Sequence, residues 1–218
     1  MNHIFFVNLQ SDTHYKDIST AMDVAIVKYN AGNIYSVVNA FLRLGIEPEV
    51  TDDMERLSRA DRVIFPGQGS ALTTMSYLRD HHLDGLIRSL RQPVLGICVG
   101  QQLLCAHSEE GDVDCIGIFP ESVRRFKPQC HDEKVPEMGW NALHGVTSPL
   151  FNGIGDGEYV YFVHSFYVPV CEYTIAEADY ILPYSAALHR DNFWTVQFHP
   201  EKSGKVGERL LRNFLEIE

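Results

Sequence analysis

Cys98 stands between two glycines in Gly96-Ile97-Cys98-Val99-Gly100, directly after the apolar run Pro93-Val94-Leu95. A buried strand that turns sharply into a helix here places the thiol at a nucleophile elbow, with Gly96 and Gly100 permitting the tight turn. The first turn of such a helix offers unpaired N–H groups and a positive dipole end, both favourable to a thiolate. The chemistry would be nucleophilic attack with a covalent intermediate. The competing reading is a small buried apolar side chain, the usual fate of a free cysteine.

A thiol nucleophile needs a base from elsewhere in the chain, and Gln197-Phe198-His199-Pro200-Glu201 offers one. Pro200 favours an extended conformation at His199. Residues i and i+2 of an extended chain point to one side, so Glu201 can hold one imidazole nitrogen while the other faces the thiol. That is the division of roles in a catalytic triad: nucleophile, base and orienting carboxylate. Taken alone, the tripeptide reads better as a solvated loop in which His-Pro-Glu is incidental. A third signal is the turn Pro66-Gly67-Gln68-Gly69, able to present backbone N–H groups to a developing oxyanion, or else a plain turn.

The elements that must position these groups read as strands alternating with helices. Val24 to Lys28 forms a first strand, and Ile34, Val37, Val38, Phe41 and Leu42 give a helix that stops at Gly45. Strands are expected at Ile46 to Val50, Arg62 to Phe65 and Pro93 to Ile97. Helices are expected from Ala71 through Leu90 with a break near His81, from Val99 to about His107, and over Val206 to Leu215. Short β-rich pieces at Glu158 to Val163, Ser185 to His189 and Phe193 to Phe198 predict antiparallel additions. The fold class is α/β, a mostly parallel, covered sheet with antiparallel strands added. Residues 1 to 21 are expected to form an N-terminal extension outside the core, and residues 22 to 218 a single domain.

A hydrophobic fraction of 45% with 22% charged residues marks a globular chain, not a disordered one. The net charge of −11, with basic residues scattered, argues against nucleic acid as a partner. No apolar run is long enough to cross a membrane. Five widely spaced cysteines, with no CxxC pair, fit a reducing, cytoplasmic compartment, and neither a metal site nor a cofactor is expected.

Taken together, these segments make the chain similar to the class I (triad) glutamine amidotransferases, from about Met22 to Glu218. Besides the cysteine and His-Pro-Glu segments, the resemblance rests on Tyr29-Asn30-Ala31-Gly32-Asn33, Pro66-Gly67-Gln68-Gly69-Ser70, Pro136-Glu137-Met138-Gly139-Trp140-Asn141 and Tyr161-Phe162-Val163-His164-Ser165-Phe166. The Met-Gly-Trp-Asn and Pro-Glu-Lys-Ser pieces point to the branch that serves histidine biosynthesis. The resemblance implies a flavodoxin-like fold and hydrolysis of glutamine through a cysteinyl thioester, with Cys98, His199 and Glu201 as the triad. It further implies that Val99 and the Gly67-Gln68 turn hold the oxyanion, and that Gln102, Ser165 and Phe166 hold the substrate's amino-acid end. His164 reads as a satisfied core histidine.

Ammonia released into water is protonated and lost as a nucleophile, and the chain has no phosphate-binding motif of its own. The resemblance therefore implies a heterodimer with a cyclase subunit built as a (β/α)8 barrel, with Asn33, Trp140 and Lys202 as candidate contacts. A glutaminase for a different synthase and a free-standing γ-glutamyl hydrolase are the alternatives. Three segments depart from the family pattern: Gln68, expected to bear on how the oxyanion turn flips, Val99-Gly100-Gln101, and Glu137, expected to bear on the partner interface.

Overall fold

The structure is a computed structural model that describes residues 22–29, 34–67 and 69–217. The expectation for residues 1 to 21 falls outside these. In chain order the elements are β1 (Val24–Val27), α1 (Ile34–Arg43), β2 (Glu49–Thr51), α2 (Met54–Arg59), β3 (Arg62–Phe65), α3 (Ala71–Asp80), α4 (Leu83–Ser89), β4 (Val94–Ile97) and α5 (Val99–Leu104). They continue with β5 (Cys105–Ser108), β6 (Val113–Asp114), β7 (Phe119–Arg125), β8 (Glu137–Ala142), β9 (Tyr159–His164), β10 (Phe166–Tyr167), β11 (Thr174–Asp179), β12 (Pro183–Arg190), β13 (Phe193–Val196) and α6 (Gly204–Glu216). Single 3-10 turns occupy Pro149–Phe151 and Pro200–Lys202.

The main sheet runs β11-β12-β13-β4-β3-β1-β2. From β13 to β2 its neighbours are parallel, and β12 and β11 are added antiparallel at one edge. Every residue of β1, β4 and β13 is buried, so both faces of the sheet are covered, as continuous apolar strands require. The α/β reading holds, with one refinement. The Phe193 strand expected as an antiparallel addition pairs in parallel with β4 on one side and antiparallel with β12 on the other.

Three other boundaries differ from the sequence reading, each for a local reason. The second strand begins at Glu49, not Ile46: the Ile46 N–H returns to the Phe41 carbonyl at 3.0 Å, closing α1, and Pro48 has no N–H to give a ladder. The helix after Cys98 ends at Leu104, because Cys105 to Ser108 is taken up by a second sheet of order β10-β7-β5-β6. The short helix α2 has no apolar pattern to announce it. It is set by Asp53, whose carboxylate accepts from the N–H groups of Glu55 at 2.8 Å and Arg56 at 3.0 Å. The break near His81 is real, with His82 in the left-handed region at φ 57° between α3 and α4.

Helix α6 fixes the segment that carries the candidate base. A Cβ built on Gly207 would lie 1.9 Å from the Pro200 carbonyl oxygen, so the helix touches the Pro200–Lys202 turn backbone to backbone. Gly207→Ala must therefore push that turn or the helix aside. The expected result is a fall in thermal stability together with a loss of the activity that the His199 segment serves, overpacking of this kind costing about 1–3 kcal/mol. Steady-state rates and a melting curve check it, and wild-type values for both would show that the turn is not held by this contact.

Candidate active site

The register of the central sheet brings the candidate groups together. Strand β4 lies between β3 and β13, with Phe65 opposite Gly96 on one side and Val196 opposite Ile97 on the other. The three chains thus leave the sheet side by side as the Pro66-Gly67 turn, Cys98 and the Gln197-to-Glu201 segment. The Cys98 N–H donates to the Val196 carbonyl at 2.8 Å, pinning the turn. Cys98 itself sits at φ 55°, ψ −111°, a conformation that costs a non-glycine residue on the order of 1–3 kcal/mol and is typical of functional turns. A Cβ on Gly100 would fall 2.1 Å from the Phe65 carbonyl oxygen, and one on Gly67 2.2 Å from the Gly100 nitrogen. Only glycine lets the Pro66-Gly67 turn and the start of α5 approach this closely.

His199 and Glu201 are both turned inward. The Nδ1–H of His199 donates to Glu201 Oε1 at 2.8 Å, and the two side chains are 4% and 1% exposed. That bond fixes the tautomer and leaves Nε2 as the ring's working nitrogen. Nε2 and Glu201 Oε2 are buried without a hydrogen-bond partner among the described residues. Burial works against the charged ring, but the Cys98 sulfur and the Glu201 carboxylate outweigh it and push the His199 pKa up to about 10. The segment is held in place by β9: the His199 N–H donates to the Tyr161 carbonyl at 2.9 Å, and Ser203 Oγ bridges the His199 carbonyl and the Tyr161 N–H.

These groups open onto a cavity of about 440 Å³, lined by Gly67, Cys98, Val99, Gln102, Ser165, Phe166 and His199, with Lys202 also on the wall. A space of this size suits a small-molecule substrate. Gln68 and Asn33 lie outside the described residues. Trp140 is not on the cavity wall; it is 56% exposed and edge-on to Tyr161. Gln102 is buried, its Nε2 donating to the Phe166 carbonyl at 3.1 Å and to Gln197 Oε1 at 3.0 Å.

His164 is buried with both ring nitrogens partnered, Nδ1 with the Phe166 carbonyl at 2.7 Å and Nε2 with Glu137 Oε2 at 3.2 Å. Glu137, whose departure from the family pattern is expected to bear on the partner interface, turns its side chain into the protein. It is 3% exposed and accepts from Asn141 Nδ2 at 2.8 Å and Tyr184 Oη at 2.9 Å. Strand alternation explains this: Glu137 points inward, and its neighbour Met138 points out. Two further groups of the site are not apparent from the motifs. Glu110, on the cavity wall, accepts from the Ala71 N–H at 2.7 Å, a contact across distant segments with no local signal. Gln197 does carry a signal, since it precedes His199 by two in an extended run and so shares its side.

The sequence profile of the family Glutamine amidotransferase class-I matches residues 25–217. Imidazole glycerol phosphate synthase subunit HisH of Bacteroides thetaiotaomicron is 63% identical over 196 residues, covering 90% of this chain and 100% of that protein. The protein of the same name from Escherichia coli K12 is 45% identical over 198 residues, with the same coverages of 90% and 100%. A crystal structure of a glutamine amidotransferase matches with a TM-score of 0.66 at 22% identity, over 88% of this chain and 97% of that one. At that identity the structural likeness speaks for the fold. The profile match and the two relatives establish that the chain belongs to the class-I glutamine amidotransferase family.

Proposed function

We propose that the chain hydrolyses glutamine to glutamate and ammonia, and that it supplies the ammonia to a cyclase subunit making imidazole glycerol phosphate in histidine biosynthesis. The observation that carries this reading is the strained Cys98 elbow facing a buried His199–Glu201 dyad inside a cavity sized for an amino acid. His199, its pKa raised by Cys98 and Glu201, holds the thiol proton on Nε2, and the thiolate sulfur attacks the side-chain amide carbon. The N–H of Val99 and one from the Gly67-Gln68 turn face the oxyanion, and Gln102 with the Ser165-Phe166 backbone holds the amino-acid end. Collapse expels ammonia with the proton from His199. Water, deprotonated by His199, then attacks the thioester, and glutamate leaves as Cys98 regains its proton.

The partner in this reading is a (β/α)8 barrel bound as a heterodimer, and one exposed face of the chain supports it. Strands β8 and β9 pair so that Met138 lies opposite Val163, Trp140 opposite Tyr161 and Ala142 opposite Tyr159, all on one side. Met138, Trp140 and Tyr159 are 66%, 56% and 57% exposed, and Lys202 lies over the Tyr161 ring with Nζ 5.8 Å from its centroid. An exposed aromatic cluster of this kind is what interface anchors look like, and Val163 at its inner end also lines the cavity.

The test is steady-state glutamine hydrolysis by the isolated chain, by its complex with the barrel subunit, and by that complex with the cyclase substrate bound. We expect a slow isolated chain and a rise at the last step. One oxyanion donor is worth about 3 kcal/mol, so a flip of the Pro66-to-Gly69 turn suffices for ~100-fold. Full activity without a partner would favour a free-standing hydrolase.

A further inference from the structure

The sulfur of Cys98 has a neighbour that the triad leaves out. Gln197 is fully buried, and its Nε2 donates to Cys98 Sγ at 3.7 Å, within range for a bond to sulfur. Its Oε1 accepts from Gln102 Nε2 at 3.0 Å, and that same nitrogen donates to the Phe166 carbonyl at 3.1 Å on the cavity wall. The Gln197 backbone is fixed as well, its N–H donating to the Ala186 carbonyl at 2.8 Å on the antiparallel strand β12. An amide so held cannot turn over without giving up both side-chain bonds, because its oxygen would then face the sulfur and its NH2 would face the NH2 of Gln102.

We infer that Gln197 is a catalytic residue of this site, a side-chain N–H donor to the nucleophilic sulfur, aimed by the substrate-side residue Gln102. This rests on the reading of Cys98 as the nucleophile. The physical reason is direct. A thiolate in a closed site has lost water, and each N–H pointed at it replaces part of that solvation, a charge-assisted bond stronger than a neutral one. His199 and Gln197 then divide the task, one moving the proton and the other holding the charge that remains on sulfur. The chain Phe166 carbonyl, Gln102, Gln197 and Cys98 also ties the substrate wall to the nucleophile, so displacement of Gln102 is felt at the sulfur.

The test reads the sulfur itself. In the full-length chain, iodoacetamide alkylation of Cys98 is followed by peptide mass spectrometry from pH 5 to 10, with the exposed Cys130 as internal reference. Gln197→Met keeps the length and removes the donor; Gln197→Glu keeps the acceptor for Gln102 and removes the donor. The other titratable groups around the cavity, His199 with Glu201, Glu110, His164 and Lys202, are the same in all three chains. Both variants should label Cys98 roughly tenfold more slowly than wild type at neutral pH, about the effect of one charge-assisted bond. They should approach the wild-type rate at the alkaline end, with Cys130 unchanged. A wild-type chain in which Cys98 does not outpace Cys130 overturns the nucleophile reading. Fast wild-type labelling with unaltered pH profiles in both variants overturns the role of Gln197 alone. Should a variant fail to fold, NMR of the wild-type chain decides. The Gln197 side-chain amide resonances should move when Cys98 is alkylated, and resonances that stay in place contradict the bond.

Discussion

Cys98→Ser is expected to fold and not to hydrolyse glutamine. Only a sulfur nucleophile at this turn can form the thioester at a useful rate, and deleting a triad nucleophile costs roughly a millionfold in kcat. The fold survives because the elbow is held by backbone contacts, the Cys98 N–H on the Val196 carbonyl and the close approach of Gly100 to Phe65. Circular dichroism and a melting curve close to wild type, with activity at background, are the expected pair of readings. An electrophilic glutamine analogue should mark Cys98 alone. Cys105 and Cys115 are buried, and burial pushes both thiols up, Cys115 to about 12, so neither offers a thiolate at neutral pH. An adduct on either, or glutamine turnover by the serine variant, would remove Cys98 from the mechanism.

The triad is legible in the sequence for reasons that are local. A buried strand ending in glycine-flanked cysteine, and a histidine and glutamate two apart across a proline, each carry their geometry in a few residues. The central strands are legible for the same reason, being uninterrupted apolar runs. What the chain does not display is which strand end lies beside which. That β13 pairs in parallel with β4, placing Gln197 against the sulfur, depends on a register between segments about a hundred residues apart. The burial of Glu137 against His164 and Tyr184 depends likewise on the pairing of β8 with β9 and on the position of β12. A carboxylate in a loop-like sequence gives no sign of such partners. The helix boundary at Leu104 is hidden in the same way, because Val99 to His107 is compatible with a helix and only pairing with the later strands β6 and β7 claims its second half.

His199 and Glu201 should fail unequally. In the proposed mechanism His199 moves the proton in both halves of the reaction, so His199→Ala is expected to approach the cysteine variant in severity. Glu201 acts through the ring, and Glu201→Ala should retain roughly 10- to 100-fold more activity, as orienting carboxylates do relative to their bases. The pH dependence of stability tells whether the pair divides the work in this way. In the folded chain burial opposes protonation of His199, yet Cys98 and Glu201 raise its pKa from 6.5 to about 10. A folded-state pKa above the unfolded one means that this pairing contributes in full below about pH 6.5 and is lost as pH rises through about 10. Glu201→Ala removes one of the two raising partners, so wild type should exceed it in melting temperature most at pH 6, with the gap narrowing toward pH 10. A gap that widens with pH would mean that Glu201 stabilises a neutral ring. Equal and complete loss of activity from both substitutions would mean that Glu201 does more than orient.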